Sequence, residues 1–131
     1  MMMKIIFIFF SLVLCSNAQS KEKYYCLKSK NDVILLVSSQ YPDVNHIKYY
    51  PYFKNIKISK PVKEESIDMG DDAKPEVYRK MNEIINGKIT GYYTFMSQGY
   101  LLYNVEYVNI KNKKKTIFEK NDLQVKGSNC I

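Results

Sequence analysis

Apolar and polar side chains alternate with a period of two along most of the chain, the spacing that sends successive residues to opposite faces of an extended strand. Lys23 to Ser29 (KYYCLKS) reads as a first strand, followed by a turn at Lys30-Asn31-Asp32. Val33 to Ser39 (VILLVSS) is short, branched and almost continuously apolar, which predicts a strand buried on both faces. Gln40 to His46 (QYPDVNH) has loop composition. Ile47 to Phe53 (IKYYPYF) reads as extended, but Pro51 removes a ladder donor and puts the segment at an edge or a bend. Ile56 to Ser59 alternates again before Pro61. Glu64 to Glu76 (EESIDMGDDAKPE) holds six acids in thirteen residues around Gly70 and reads as a loop.

The stretch Glu76 to Ile85 (EVYRKMNEII) carries two signals. Val77, Met81, Ile84 and Ile85 fall at helical spacing, with Pro75 ahead and Gly87 behind. Asn86-Gly87 is the strongest short hairpin signal, because both residues accept the positive φ of a type I′ turn. The hairpin is the preferred expectation, pairing Val77 to Ile85 with Lys88 to Met96, and a three-turn helix is the alternative. Beyond it, Tyr92 to Met96, a turn at Ser97-Gln98-Gly99, Tyr100 to Val108, a polar turn at Asn109 to Lys115, and Thr116 to Leu123 form a meander. The expected fold is therefore all-β, or β-rich α+β if the helix forms: a small antiparallel barrel or sandwich of about seven to eight strands.

The N-terminus departs from this pattern. Met1 to Lys4 is a short basic start, Ile5 to Cys15 is a run of eleven residues that is apolar except for Ser11, and Ser16 and Ala18 place small residues before a cut. This is the anatomy of a secretory signal peptide over residues 1–18, with cleavage after Ala18 and export to the periplasm. The run is short for a membrane span, so no integral membrane segment is expected after cleavage. Leu14 before Cys15 departs from the small residue of lipoprotein signals. Removing 18 of the 131 residues leaves 113 as a single domain, 19–131, with net charge +6 because only Lys4 is lost from the +7 of the whole chain.

Export changes the meaning of the cysteines. Of three, Cys26 and Cys130 survive, and an oxidising compartment predicts a disulfide between them. It would close a loop of 104 residues (130 less 26) and bring the two ends of the domain together. The chain-entropy account gives such a loop about 4 to 5 kcal/mol.

The inventory of reactive groups is short. His46 is the sole histidine, in loop composition after Asn45, and reads as a surface or locally hydrogen-bonded residue. No metal-binding, phosphate-loop or nucleophile-elbow motif occurs. Asp68, Asp71 and Asp72 are oxygen ligands close together, but their spacing is not that of a helix-loop-helix calcium site, and a solvated acidic loop is the simpler reading. No metal, cofactor or enzymatic activity is expected. Nucleic acid is disfavoured as a partner because the protein is exported. Lys111, Lys113, Lys114 and Lys115 (within KNKKK) suit a solvated hairpin tip or contacts to an acidic partner. Among twelve Tyr, no Trp and six Phe, Tyr49, Tyr50 and Tyr52 cluster beside Pro51. Tyrosine suits interfaces through rigid contact area with a hydroxyl, and it serves core packing equally well.

The segments KYYCLKSKNDVILLVSSQYPDVN, KYYPYFKNIKIS and NEIINGKITGYYTFMSQGYLLYNVEYVN, with a Cys in the first strand and another near the end, resemble the periplasmic lysozyme inhibitors and the periplasmic bacteriocin immunity proteins of the pesticin-immunity type. The resemblance implies an immunity protein that binds and neutralises a cell-wall-attacking, muramidase-like toxin and protects the producing cell, or a lysozyme inhibitor. In the inhibitors of c-type lysozyme a Ser-Gly-containing loop plugs the enzyme cleft; Ser97-Gln98-Gly99-Tyr100 is similar to it, while that family's Trp-containing segment is absent. Muramidase clefts work with carboxylates. The expected contacts are Ser97, Gln98 and Tyr100 in one hairpin, the four lysines in another, and Tyr49, Tyr50 and Tyr52. An envelope or secreted structural protein without a toxin partner is the alternative from another class.

Overall fold

The computed structural model describes residues 22–122 and 125–131; the expected signal peptide, its cleavage site and Leu123 lie outside the described residues. Among these described residues there are nine strands and no helix: β1 (Lys23–Lys28), β2 (Ile34–Ser38), β3 (His46–Tyr50), β4 (Asn55–Ile67), β5 (Glu76–Ile85), β6 (Lys88–Gln98), β7 (Leu101–Asn109), β8 (Lys115–Lys120) and β9 (Asn129–Cys130). Each of β1 to β7 pairs antiparallel with the next, and β8 pairs back onto β1, so the sheet closes as an eight-stranded up-and-down barrel. An eight-stranded barrel has an interior just wide enough for side chains to fill.

Parity along each strand fills it. Tyr25 and Leu27 of β1, Leu35 and Val37 of β2, Ile47, Ile58, Met81, Tyr93, Phe95, Leu102, Val105 and Phe118 form one buried interior cluster. Burial of each such aliphatic or aromatic side chain contributes about 1.5 to 3 kcal/mol. β1 and β2 also bury their outer faces. Tyr24, Cys26 and Leu36 point outward and are covered by Val125 and Cys130 of the C-terminal segment, with Tyr50 and Phe53 packed alongside. That second layer explains the continuous apolar run of β2.

The seam at β1 is narrow. β8 pairs with β1 only at Leu27↔Lys120 and Lys28↔Glu119. Where β8 leaves, β9 takes the same edge in parallel register, Lys23↔Asn129 and Tyr24↔Cys130. The Cys26–Cys130 disulfide, with Cα atoms 5.5 Å apart, ties this strand to β1.

Asn86 (φ 52°) and Gly87 (φ 75°) form the left-handed pair of the expected hairpin turn, so Glu76 to Ile85 is a strand and the alternative helix does not form. The structure departs from the sequence-based expectation at three places. β4 runs through Pro61 to Ile67 and absorbs Glu64 and Glu65, shortening the acidic loop to Asp68–Pro75. Irregular register between Ile58 and Lys63 accommodates the proline, and β4 pairs with β3 only from Asn55 to Lys57, which leaves the proline on an open edge. The turn after β6 is Gly99-Tyr100, with Ser97 and Gln98 inside the strand. Finally, Cys130 sits on a short ninth strand, one more than the seven to eight expected.

Converting both cysteines to serine, or reducing the disulfide, should lower the unfolding free energy by up to about 4 to 5 kcal/mol. A urea titration read by circular dichroism, comparing oxidised and reduced protein, checks this; an unchanged midpoint would show that β8 alone closes the seam.

Candidate functional site

In an up-and-down barrel the connections alternate between two ends. The β1–β2, β3–β4, β5–β6 and β7–β8 connections share one end, and the β2–β3, β4–β5 and β6–β7 connections share the other. This alternation separates the residues expected to bind a partner. Lys111, Lys113, Lys114 and Lys115 occupy or flank the β7–β8 turn, at the same end as Tyr52. Ser97, Gln98 and Tyr100 lie at the opposite end. No single flat contact unites the two groups.

Strand parity divides them further. Tyr49 points into the barrel, packing against Phe118 at 6.0 Å between ring centroids. Tyr50 points outward onto the β1–β2 covering layer and meets Phe53 edge-on. Tyr52, 84% exposed, is the only one of the three open to solvent. Ser97 is buried at 5% exposure, and its Oγ accepts from Arg79 Nη1 at 3.4 Å. Gln98 Nε2 donates to the Lys74 carbonyl at 2.9 Å and so holds the acidic loop against the β6–β7 turn. His46 opens β3, its Nδ1 2.7 Å from Asn45 Oδ1. The position lines a hollow of about 450 Å³ under the β2–β3 loop, shared with Glu22, Asp43 and Lys60.

Tyr100 is the side chain most clearly presented. It is 94% exposed, yet its backbone is fixed: the Tyr25 hydroxyl, reaching from β1, donates to the Tyr100 carbonyl at 2.9 Å. Gly99 (φ 61°) takes the first position of the two-residue turn, the left-handed site that a type II′ hairpin requires. Across the neighbouring strands Ile67, Glu76, Gln98 and Leu101 stand in one register row, and Ile67, Met69 and Leu101 are exposed. The rim is acidic: the loops at this end carry Asp43, Asp68, Asp71 and Asp72 against Lys74. Asp68 Oδ1 accepts from the Gly70 amide, and among the described residues no three His, Cys, Asp or Glu side chains converge as metal ligands.

Inside the barrel, toward the lysine end, lies a polar cluster that strand-by-strand reading did not single out. Glu83, 5% exposed, accepts from the hydroxyls of Tyr93 (2.7 Å), Thr90 (2.7 Å) and Tyr107 (2.8 Å), and the hydroxyls of Tyr49 and Tyr93 are 2.7 Å apart. A bulge makes this possible. Ile84 pairs with Ile89 and Glu83 with Gly91, so Thr90 is an extra residue between them. Gly91 is required as well, since a Cβ there would lie 2.6 Å from the Tyr107 ring. The alternation of Met81 and Glu83 placed a charge-bearing residue in the inward row; the three hydroxyls come from β6, the bulge and β7, which no local pattern links. Burial pushes the Tyr49 phenol up to about 12. Burial also raises Tyr93, helped by Tyr49 and Glu83, and raises Tyr107, helped by its bond to Glu83. Both Glu83 carboxylate oxygens accept from hydroxyls, so this buried cluster joins β3, β5, β6 and β7 rather than presenting a carboxyl to solvent.

Comparison with protein-family models, with curated proteins and with solved structures finds no significant match.

Two measurements test the cluster. Glu83→Gln puts an amide donor among hydroxyl donors and should cost about 1 to 3 kcal/mol by denaturant titration. The folded state favours the neutral Tyr49 phenol, so that contribution is intact below pH 10 and is lost as pH rises through about 12. Stability measured from pH 9 upward should therefore fall across that window, with part of the tyrosinate absorbance appearing only on unfolding; full tyrosinate signal from a still-folded protein would contradict the buried network.

Proposed function

We propose that the protein is a periplasmic immunity or inhibitor protein that neutralises a cell-wall-attacking enzyme of the muramidase class, binding it through the Tyr100 end of the barrel. The observation that carries this reading is the presentation of Tyr100. An almost fully exposed aromatic ring on a turn held by Tyr25 and flanked by exposed Ile67, Met69 and Leu101 is pre-organised for insertion into a partner. Rigid aromatic anchors lose little entropy on binding, and tyrosine adds a hydroxyl at its tip. A neutral phenol can donate to a cleft carboxylate without burying a second charge. The surrounding aspartates complement the basic surface that an enzyme needs when it approaches an anionic wall polymer. The expected signal peptide and the disulfide-closed domain agree with a periplasmic site of action.

The test combines protection and complex formation. Cells exporting this protein should survive periplasmic delivery of the toxin encoded beside its gene, and the purified pair should elute as a stoichiometric complex. Tyr100→Ala should weaken that complex by roughly 30- to 1000-fold while leaving the unfolding midpoint unchanged. Replacing Lys111, Lys113 and Lys114 should leave the affinity nearly intact. Absence of protection and of any complex, with the neighbouring toxin and with lysozyme-like enzymes, would refute the proposal.

A further inference from the structure

The barrel is electrically bipolar along its axis. The connections at the end remote from Tyr100 carry Lys30, Lys54, Lys111, Lys113 and Lys114 against Asp32, and Lys88 and Lys115 flank them. Asp32 is held by Lys28 at 3.0 Å, and Lys115 by Glu106 at 3.1 Å. Among the described residues Lys30, Lys54, Lys88, Lys111, Lys113 and Lys114 make no ion pair, and all are exposed. Between these lysines the same end exposes Ile85, Ile89 and Ile110, together with Tyr52. The Ile110 amide donates to the Thr90 carbonyl at 3.2 Å, so the β5–β6 and β7–β8 hairpins stand side by side.

We propose that this end is a docking surface for an anionic phospholipid bilayer. Four connections at one end of a barrel can meet a flat surface together. Lysines on long stems with no fixed partner suit laterally mobile phosphate headgroups, which rearrange beneath them; a protein partner would need acids placed to match. Exposed isoleucines between cations add apolar contact at the headgroup boundary, the pairing that holds amphipathic surfaces to membranes. The opposite charge at the far end supplies orientation, because the Asp-bearing loops are repelled by the same surface. The barrel would therefore stand on the membrane with Tyr100 directed away from it. This inference rests on charge placement and exposure, and it stands whether or not the partner at the Tyr100 end is a muramidase.

Sedimentation with phosphatidylcholine vesicles, with and without phosphatidylglycerol, tests the proposal. The mature protein should bind only the anionic vesicles and should be released by roughly 0.5 M salt, where screening shortens to a few ångströms. Each lysine near the surface contributes about five-fold, so Lys111→Gln, Lys113→Gln and Lys114→Gln together should lower partitioning roughly 100-fold. Ile89→Ser with Ile110→Ser should lower it as well, whereas Asp68→Asn, Asp71→Asn and Asp72→Asn together should not. Circular dichroism confirms that each variant is folded. Hydrogen exchange on vesicles should show protection at residues 86–89 and 110–114 and none at 99–100. Equal binding to neutral vesicles, undiminished binding by the triple lysine variant, protection at the Tyr100 end, or no binding at all each overturns the assignment. Binding to soluble polyglutamate without binding to vesicles also overturns it, and identifies an acidic protein as the partner class.

Discussion

Closure of the barrel depends on the seam at β1. Only Leu27 and Lys28 pair with β8, so the remaining edge of β1 would face solvent if the chain ended there. An open strand edge is a row of unpaired donors and acceptors. The last residues fold back to cover it, with β9 alongside Lys23 and Tyr24 and Cys130 bonded to Cys26. The same return lays Val125 over Tyr24, Cys26 and Leu36. One covalent bond thus holds a β-edge cover and an apolar cover in place together, and the interior cluster inherits its closure from them.

The interior itself is graded along the barrel axis. Near the Tyr100 end, Arg79 bridges Glu64 at 3.2 Å and Ser97 at 3.4 Å, with its guanidinium 5.8 Å from the centre of the Tyr41 ring. The middle is aliphatic and aromatic, with Tyr93 stacked at 6.2 Å from Phe95 and 4.6 Å from Tyr107. Toward the lysine end Glu83 gathers three hydroxyls. The buried side chains of Glu83 and Ser97 have partners drawn from other strands, which is how a barrel packed with side chains tolerates polar residues inside it. The two polar layers also fix register, since a slip of one residue on β5 would turn Arg79 and Glu83 outward and Lys80 and Asn82 inward.

The exterior differs between the two ends. One end presents Tyr100 among acids, and the other presents exposed lysines that make no ion pair among the described residues, interspersed with isoleucines. A partner that binds the first and a surface that holds the second need not compete. Both ends are built on short turns whose backbones are fixed by the barrel: Tyr25 holds the Tyr100 carbonyl, and Asn109 Oδ1 accepts from the Lys111 and Asn112 amides in the lysine turn.

Period-two alternation, the Asn86-Gly87 pair and the even pair of cysteines pointed to a β-rich domain, its central hairpin and its disulfide, with a helix over Glu76 to Ile85 as the alternative. These depend on local backbone preference and on counting, which the sequence carries directly. Other properties depend on which strands become neighbours and on how many turns separate two segments. Ser97 and Tyr100 are three residues apart, yet one is sealed inside the barrel and the other stands in solvent, because the turn starts at Gly99. Tyr49 and Tyr50 are adjacent and serve opposite faces. The lysine turn and Tyr100 belong to consecutive connections, which antiparallel winding sends to opposite ends. Glu83 became a buried acceptor only when β6 and β7 supplied its donors. Local pattern decided what each segment is; closure of the sheet decided where each side chain points and which of them can act together.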